Sequence, residues 1–199
     1  MTVSADRRKF LAACGVTAAA AAAAGVGGEL LISKRFSVST SSVKLTAPVV
    51  KPKPLAKDTT LNIPGLSPFY TPNAEFYRVD TSLIIPQVSP ASWQLRIHGM
   101  VAKEITLSFH DLLKLPMVED WITLCCVSNP VGGPYIGNAK WLGASLAGLL
   151  RKAGIKAGAD QLMCTSVDGF TSGTPVQTVM DGRDALLAVA MNGTRVRWM

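Results

Sequence analysis

The stretch "WQLRIHGMVAKEITLSFHDLLKLP", Trp93 to Pro116, changes its hydrophobic period within one connected run, and that change decides the fold class. Apolar and polar residues alternate on both sides of Gly99, the pattern of two half-buried strands folded back on each other. Ser108 then stands three residues before Asp111, a capping-box arrangement that opens a helix, and Pro116 follows that helix closely. So short a helix cannot cross back over a sheet to bring the next strand in parallel. The same brevity recurs downstream. Ser145 caps "LAGLLRKAG", which ends on Gly154, and Thr174-Pro175 reads as N-cap and first-turn proline of "VQTVM". A strand runs into Cys126, the loop "VSNPVGGPYIGNAKWLG" follows, "QLMCTSV" is a further strand, and "ALLAVAMNG" is a last apolar segment. Strands alternating with short helices predict an α+β domain rather than a doubly wound sheet.

Residues 1–72 cannot supply a packed core. Arg7-Arg8-Lys9 precedes an uncharged Ala/Gly-rich run, the layout of an export signal, and "RRKFL" resembles a twin-arginine signal. Residues 1–31 are therefore expected to be such a signal, cleaved or retained as a membrane anchor, that engages the twin-arginine export machinery. Residues 32–72, rich in Ser, Thr, Pro and Lys, read as a tether, and residues 73–199 as the folded domain on the extracytoplasmic face. The formal charge of +7 follows this division. Residues 1–58 carry nine Lys/Arg against three Asp/Glu, while the remainder carries eleven against ten. The folded part has no basic stripe, which argues against nucleic-acid binding. No GxGxxG, Walker A, CxxC or HExxH pattern occurs, so nucleotide folds, thioredoxin chemistry and zinc peptidases lack their usual support.

Four cysteines do not make a disulfide framework, since Cys14 lies in the leader and Cys125 and Cys126 are neighbours. Adjacent strand residues face opposite ways, so these two have different jobs. A thiolate at a strand end is held on a rigid element, and Gly132, Gly133 and Gly137 let backbone approach a ligand closely. Cysteine is the soft ligand among side chains, suited to copper(I), zinc, iron–sulfur clusters or a metal already held by sulfur. With His98 and His110 far off in sequence, further ligands would come from a cofactor. The alternative is two buried cysteines ending a core strand.

Several separated motifs then fall into a known order. "TPNAEFYRVDT", the W-x-L-x-I-x-G strand, "TLSFHDLL", "TLCCVSN", "IGNAKWLGASLAGLLRKAGI" and "VDGFTSGTPVQTVMDGRDALLAVAMNG" together resemble the oxidoreductase molybdopterin-binding domain of the sulfite oxidase and periplasmic sulfoxide reductase superfamily. The resemblance runs from about Thr71 to Gly193. It implies a mixed-sheet, sulfite-oxidase-like fold and a Mo-molybdopterin cofactor whose metal takes one protein thiolate. On this chain that ligand is Cys126, which leaves Cys125 as a small core residue. It also places Tyr77 and Arg78 at the pterin or metal pocket, with Arg78 suited to the pterin phosphate, and gives Ser166 and Asn129 as cofactor contacts. Asn129 alternatively caps its own loop, and Trp141 is expected to be structural. The implied activity is two-electron oxygen-atom transfer, on sulfoxide-like or sulfite-like substrates. A membrane haem or quinone-linked partner would pass electrons in the first case.

After "MNG" the family continues with a Pro-rich turn, a His-Gly-x-Pro-x-Arg segment and a loop gripping the pterin phosphate. This sequence reads "TRVRWM" instead, so the fold is expected to be incomplete at the C-terminus. Two rival readings follow. One is a truncated, non-catalytic remnant acting as a binding module, and the other a generic exported binding protein whose cysteines are merely core.

Overall fold

The alternation around Gly99 folds as the expected hairpin. In this computed structural model, which describes residues 44–56, 59–61, 63–64, 66, 68–80, 82 and 86–196, β1 (Gln94–Ile97) pairs antiparallel with β2 (Ile105–Ser108). Ile105 and Leu107 are buried and Thr106 between them is exposed, as period two requires. Ser108 completes the capping box. Its Oγ accepts from the Asp111 N–H at 3.1 Å, and its own N–H donates to Asp111 Oδ2 at 3.3 Å, opening α1 (Phe109–Leu113).

From Pro116 the chain enters the principal sheet. β3 (Met117–Cys125), β4 (Ile136–Ser145), β7 (Leu186–Met191) and β8 (Thr194–Arg195) lie side by side in that order, all antiparallel. Parallel pairing enters at the bridge between Val50 and Val118, where Val49 N–H donates to Met117 O at 2.8 Å and Glu119 N–H to Val50 O at 2.9 Å. Thr46 also donates to Leu113 O, and Leu45 packs on the core. This part of the expected tether is therefore docked, by the backbone bonds of Val49 and Val50 and by the Leu45 side chain. The core is centred where α1 meets the sheet. Phe109, Leu112, Met117, Leu142 and Val189 pack together there, Leu112 and Met117 fully buried.

α2 (Leu146–Ala153) starts on Ser145, whose Oγ accepts from the Gly148 N–H at 3.1 Å, and ends on Gly154 at a left-handed φ of 70°. Its Leu149 and Ala153 pack on Ile105 and Leu107 of the hairpin. Its Ala147 and Leu150 pack on Val179 of α3 (Val176–Met180). The cap at α3 differs from expectation. Thr174 belongs to β6 (Thr171–Pro175), which pairs with β5 (Gln161–Thr165), and Pro175 itself takes the N-cap position without a side-chain bond. Proline suits that site because its missing N–H is one the helix leaves unpaired anyway. Since Ser145 satisfies a helix N–H by its side chain, Ser145→Ala is expected to cost about 1 kcal/mol in urea unfolding. An unchanged midpoint would show the cap to be idle.

The segment read as one long loop after Cys126 contains β4, a strand flanked on both sides in the sheet. Burial along β3 falls from Met117 to an exposed Thr123, Leu124 and Cys125, so the β3–β4 pair runs past the packed layer at one end. The arginine pair and alanine run of residues 1–31 lie outside the described residues.

Candidate functional site

At that projecting end Cys125 pairs with Ile136, and the Cys126 N–H donates to Tyr135 O at 2.9 Å, continuing the ladder by one residue. The loop beyond closes on itself. Asn129 N–H donates to Cys126 O at 2.9 Å, Gly132 takes a φ of 73°, and Asn129 Oδ1 accepts from the Tyr135 N–H at 2.8 Å. Asn129 thus caps its own loop through Oδ1, one of the two roles expected for it.

The two cysteines are unequal, though not as strand alternation suggested. Cys126 is half-buried, with Sγ 3.0 Å from Ser128 Oγ, and the bonds of that hydroxyl and of the Ser128 backbone hold its thiol below the usual range. Cys125 is exposed and makes only a long 3.6 Å contact to Cys126 O, so the expected core role is corrected. Alternation puts a residue in the core only where a layer covers that face, and here β3 has passed beyond it, leaving Leu124 and Ile136 exposed beside Cys125. Ser128→Ala removes the largest cause of the thiol shift, the hydroxyl bond, and keeps the backbone one. The midpoint of Cys126 alkylation by iodoacetamide, followed by peptide mapping, is then expected to move to higher pH; an unmoved midpoint would assign the shift elsewhere.

Tyr77 faces the cysteines from a separate segment. Its ring lies 6.2 Å from Tyr135, edge-on, and stacks on Phe76 at 5.4 Å. Burial pushes its phenol up, and the charges of Cys126 and Cys125 push it further. Phe76 is seated on β4. It meets Trp141 edge-on at 5.7 Å and lies over Gly137, where an added Cβ would come within 2.7 Å of the ring. A missing side chain on β4 is therefore what lets this segment approach.

Tyr77 and Arg78 line a cavity of about 640 Å³, together with Leu124, Trp141, Phe170 and Ser166. Three of the five predicted positions thus meet in one space, although chain segments far apart in sequence supply them. Cys126 stands just outside, tied to the cavity by Tyr77 and by Leu124 two residues before it. Trp141 is structural as expected, buried with its Nε1–H donating to Ile122 O at 3.2 Å, and it also forms part of the cavity wall. The polar groups are mostly paired already. Arg78 bonds Asp80 Oδ2 through Nε at 2.9 Å and Nη2 at 2.8 Å, and Ser166 Oγ bonds Asp168. Asp80 and Asp168 were not singled out by sequence, although an aspartate two residues after each predicted contact is a readable signal for a local bond. Among the described residues no three His, Cys, Asp or Glu side chains converge to hold a metal. The arrangement therefore offers one thiol favoured as thiolate at the edge of an aromatic-walled cavity, with Arg78, held by Asp80, in its lining.

The chain is similar to known proteins over most of its described part. The profile described as the oxidoreductase molybdopterin binding domain matches residues 82–198, more than half of the chain. Sulfite oxidase of Gallus gallus is 31% identical over 153 residues, covering 64% of this chain and 33% of that protein. The uncharacterised oxidoreductase YuiH of Bacillus subtilis is 30% identical over 101 residues, covering 51% of this chain and 48% of that one. Among solved structures, the sulfane dehydrogenase SoxCD of Paracoccus pantotrophus superposes with a TM-score of 0.51 at 26% identity, covering 57% of this chain and 32% of that chain. The chain thus spans between about a third and a half of the length of these relatives.

Proposed function

The chain belongs to the oxidoreductase molybdopterin binding domain family, and from that membership we propose that it is an exported oxidoreductase domain in which Cys126 ligates the molybdenum of a molybdopterin cofactor. The observation that carries this reading is the activated Cys126 thiol beside the aromatic-walled cavity. The residues present fit the metal end of such a group. A thiol held below its usual range binds as thiolate, and thiolate is the soft ligand that a sulfur-bound metal accepts. The flat pterin suits walls of Tyr77, Trp141 and Phe170. Its phosphate would need Arg78, which must exchange its exposed bond to Asp80 for the incoming anion.

When bound, the cofactor supplies two-electron oxygen-atom transfer. The chain's own residues prepare for it. Ser128 hydrogen-bonds Cys126 and favours its thiolate, burial and the neighbouring cysteines favour the protonated phenol of Tyr77, and Leu124 and Phe170 add apolar surface to the wall. Relatives named sulfite oxidase and sulfane dehydrogenase support a sulfur-centred substrate that is oxidised, sulfite-type oxidation being favoured over sulfoxide reduction. The basic leader supports export to the extracytoplasmic face by the twin-arginine route, and a haem or quinone-linked partner would exchange the electrons.

A second reading, a non-catalytic interaction module, is favoured by the apolar residues at the projecting end. Val127 and Val131, in the loop at that end, are fully exposed. Metal content separates the two readings. Expressed in a host that makes molybdopterin, the chain should purify with near-stoichiometric molybdenum and pterin. Folded protein lacking both would overturn the first reading and leave the second.

A further inference from the structure

The segment that delivers Tyr77 and Arg78 to the cavity has no ladder of its own. Residues 68–80 form only a turn, in which the Glu75 and Phe76 N–H groups donate to Pro72 O at 3.0 Å each. The segment is held to the principal sheet by amide side chains. Asn138 of β4 accepts the Thr71 N–H on its backbone carbonyl at 2.9 Å, and its side-chain Nδ2 donates to Phe69 O at 2.9 Å. The central member is Asn192, in the β7–β8 turn, at a left-handed φ of 51° that asparagine tolerates better than most residues.

Asn192 bonds in two directions at once. Toward β4, its N–H donates to Lys140 O at 2.7 Å and its Oδ1 accepts from the Lys140 N–H at 3.0 Å. Toward the segment, its Nδ2 donates to Thr71 O at 3.1 Å and to Asn73 Oδ1 at 2.7 Å. Asn73 returns the contact, its Nδ2 donating to Met191 O at 3.1 Å. Only a primary amide has both the acceptor that β4 needs and the two donors that the segment needs. Aspartate would keep the bond from Lys140 N–H but face two acceptors with a third, and glycine would keep the turn and lose every side-chain bond.

We infer that Asn192 is a positioning residue, anchoring residues 69–78 to β4 so that Tyr77 and Arg78 line the cavity beside Cys126. The consequence for catalysis rests on the proposed reading of that cavity; the anchoring does not.

The test uses the full chain with Asn192→Asp and Asn192→Gly. Hydrogen exchange at the Thr71 and Phe76 amides is expected to quicken about tenfold, the effect of losing two neutral hydrogen bonds, while the β3–β4–β7 ladder keeps its protection. The near-UV circular dichroism difference between wild type and Tyr77→Phe, a signature of Tyr77 packed on Tyr135, should vanish in either variant background. Unchanged exchange at both amides would overturn the inference. So would an equal rise across the whole sheet, which marks a turn residue that merely stabilises the fold. If Asn192→Gly does not fold, Asn73→Ala removes the same contact from the other side and must give the same local pattern. Molybdopterin content is measured alongside. A segment that loosens in a protein whose wild type binds no molybdopterin leaves the anchor standing and removes the functional reading.

Discussion

Cys126→Ser purified from a molybdopterin-making host is expected to retain less than roughly a tenth of the wild-type molybdenum, a loss at least as large as those seen when partners of metal ligands are removed. The reason is chemical rather than steric. A serine hydroxyl keeps its proton at neutral pH and is a hard donor, so it cannot stand in for a thiolate beside a sulfur-bound metal. Ser128, 3.0 Å from the present Sγ, would then hydrogen-bond a neutral hydroxyl and stabilise no charge. Folding should be little affected, because Cys126 is half-buried at the projecting end of β3, away from the cluster around Leu112 and Met117. Cys125→Ser is the matched control, exposed and without a close partner, and should keep its metal. Inductively coupled plasma analysis of both proteins decides the matter. Loss of molybdenum from Cys125→Ser alone would reverse the assignment.

What the sequence disclosed divides along the range of the interactions involved. The β1–β2 hairpin, the Ser108 capping box and the α2 caps depend on residues within a few positions of each other, and each appears where its pattern placed it. β4 was hidden because Pro130, Gly132 and Gly133 precede it and Gly137 and Gly143 interrupt its pattern. Those two glycines serve tertiary approaches, one by the Phe76 ring and one by the Leu187 carbonyl, that no local pattern contains. Cys125 failed for a related reason, since alternation assigns faces but not whether a face is covered. At the site, the resemblance picked out Tyr77, Arg78 and Ser166, and the fold gathers them on one cavity. Asn192 stands in an Asn-Gly-Thr pattern, which locally signals only a turn or a glycosylation acceptor. Its bond to Asn73 spans 119 positions and its bond to Lys140 spans 52, so only the fold reveals what its amide does.

The largest loss of stability from a single methyl group is expected at Gly143. Pairing between β4 and β7 shifts there: Leu142 lies opposite Ala190 but Gly143 opposite Ala188, leaving Val189 as the extra residue of a bulge. Val189 is fully buried among Leu112, Met117 and Leu142, so the bulge is how the core obtains this side chain. A Cβ on Gly143 would lie 2.6 Å from Leu187 O and 2.9 Å from Ala188 Cα, both backbone atoms that no rotamer change can move. Gly143→Ala should therefore cost about 3 kcal/mol, at the upper end for overpacking, read as a lowered urea midpoint. Gly137→Ala, on the same strand, is the informative contrast. The three atoms nearest its Cβ all belong to the Phe76 ring, a side chain that can swing away, so less stability is lost but the segment bearing Tyr77 is lifted from the sheet. The pair thus separates two jobs of one strand. If Gly143→Ala unfolds within about 0.5 kcal/mol of the wild type, the range of ordinary surface changes, β7 does not approach β4 in this register. The placement of Asn192 at the end of β7 would then need another support.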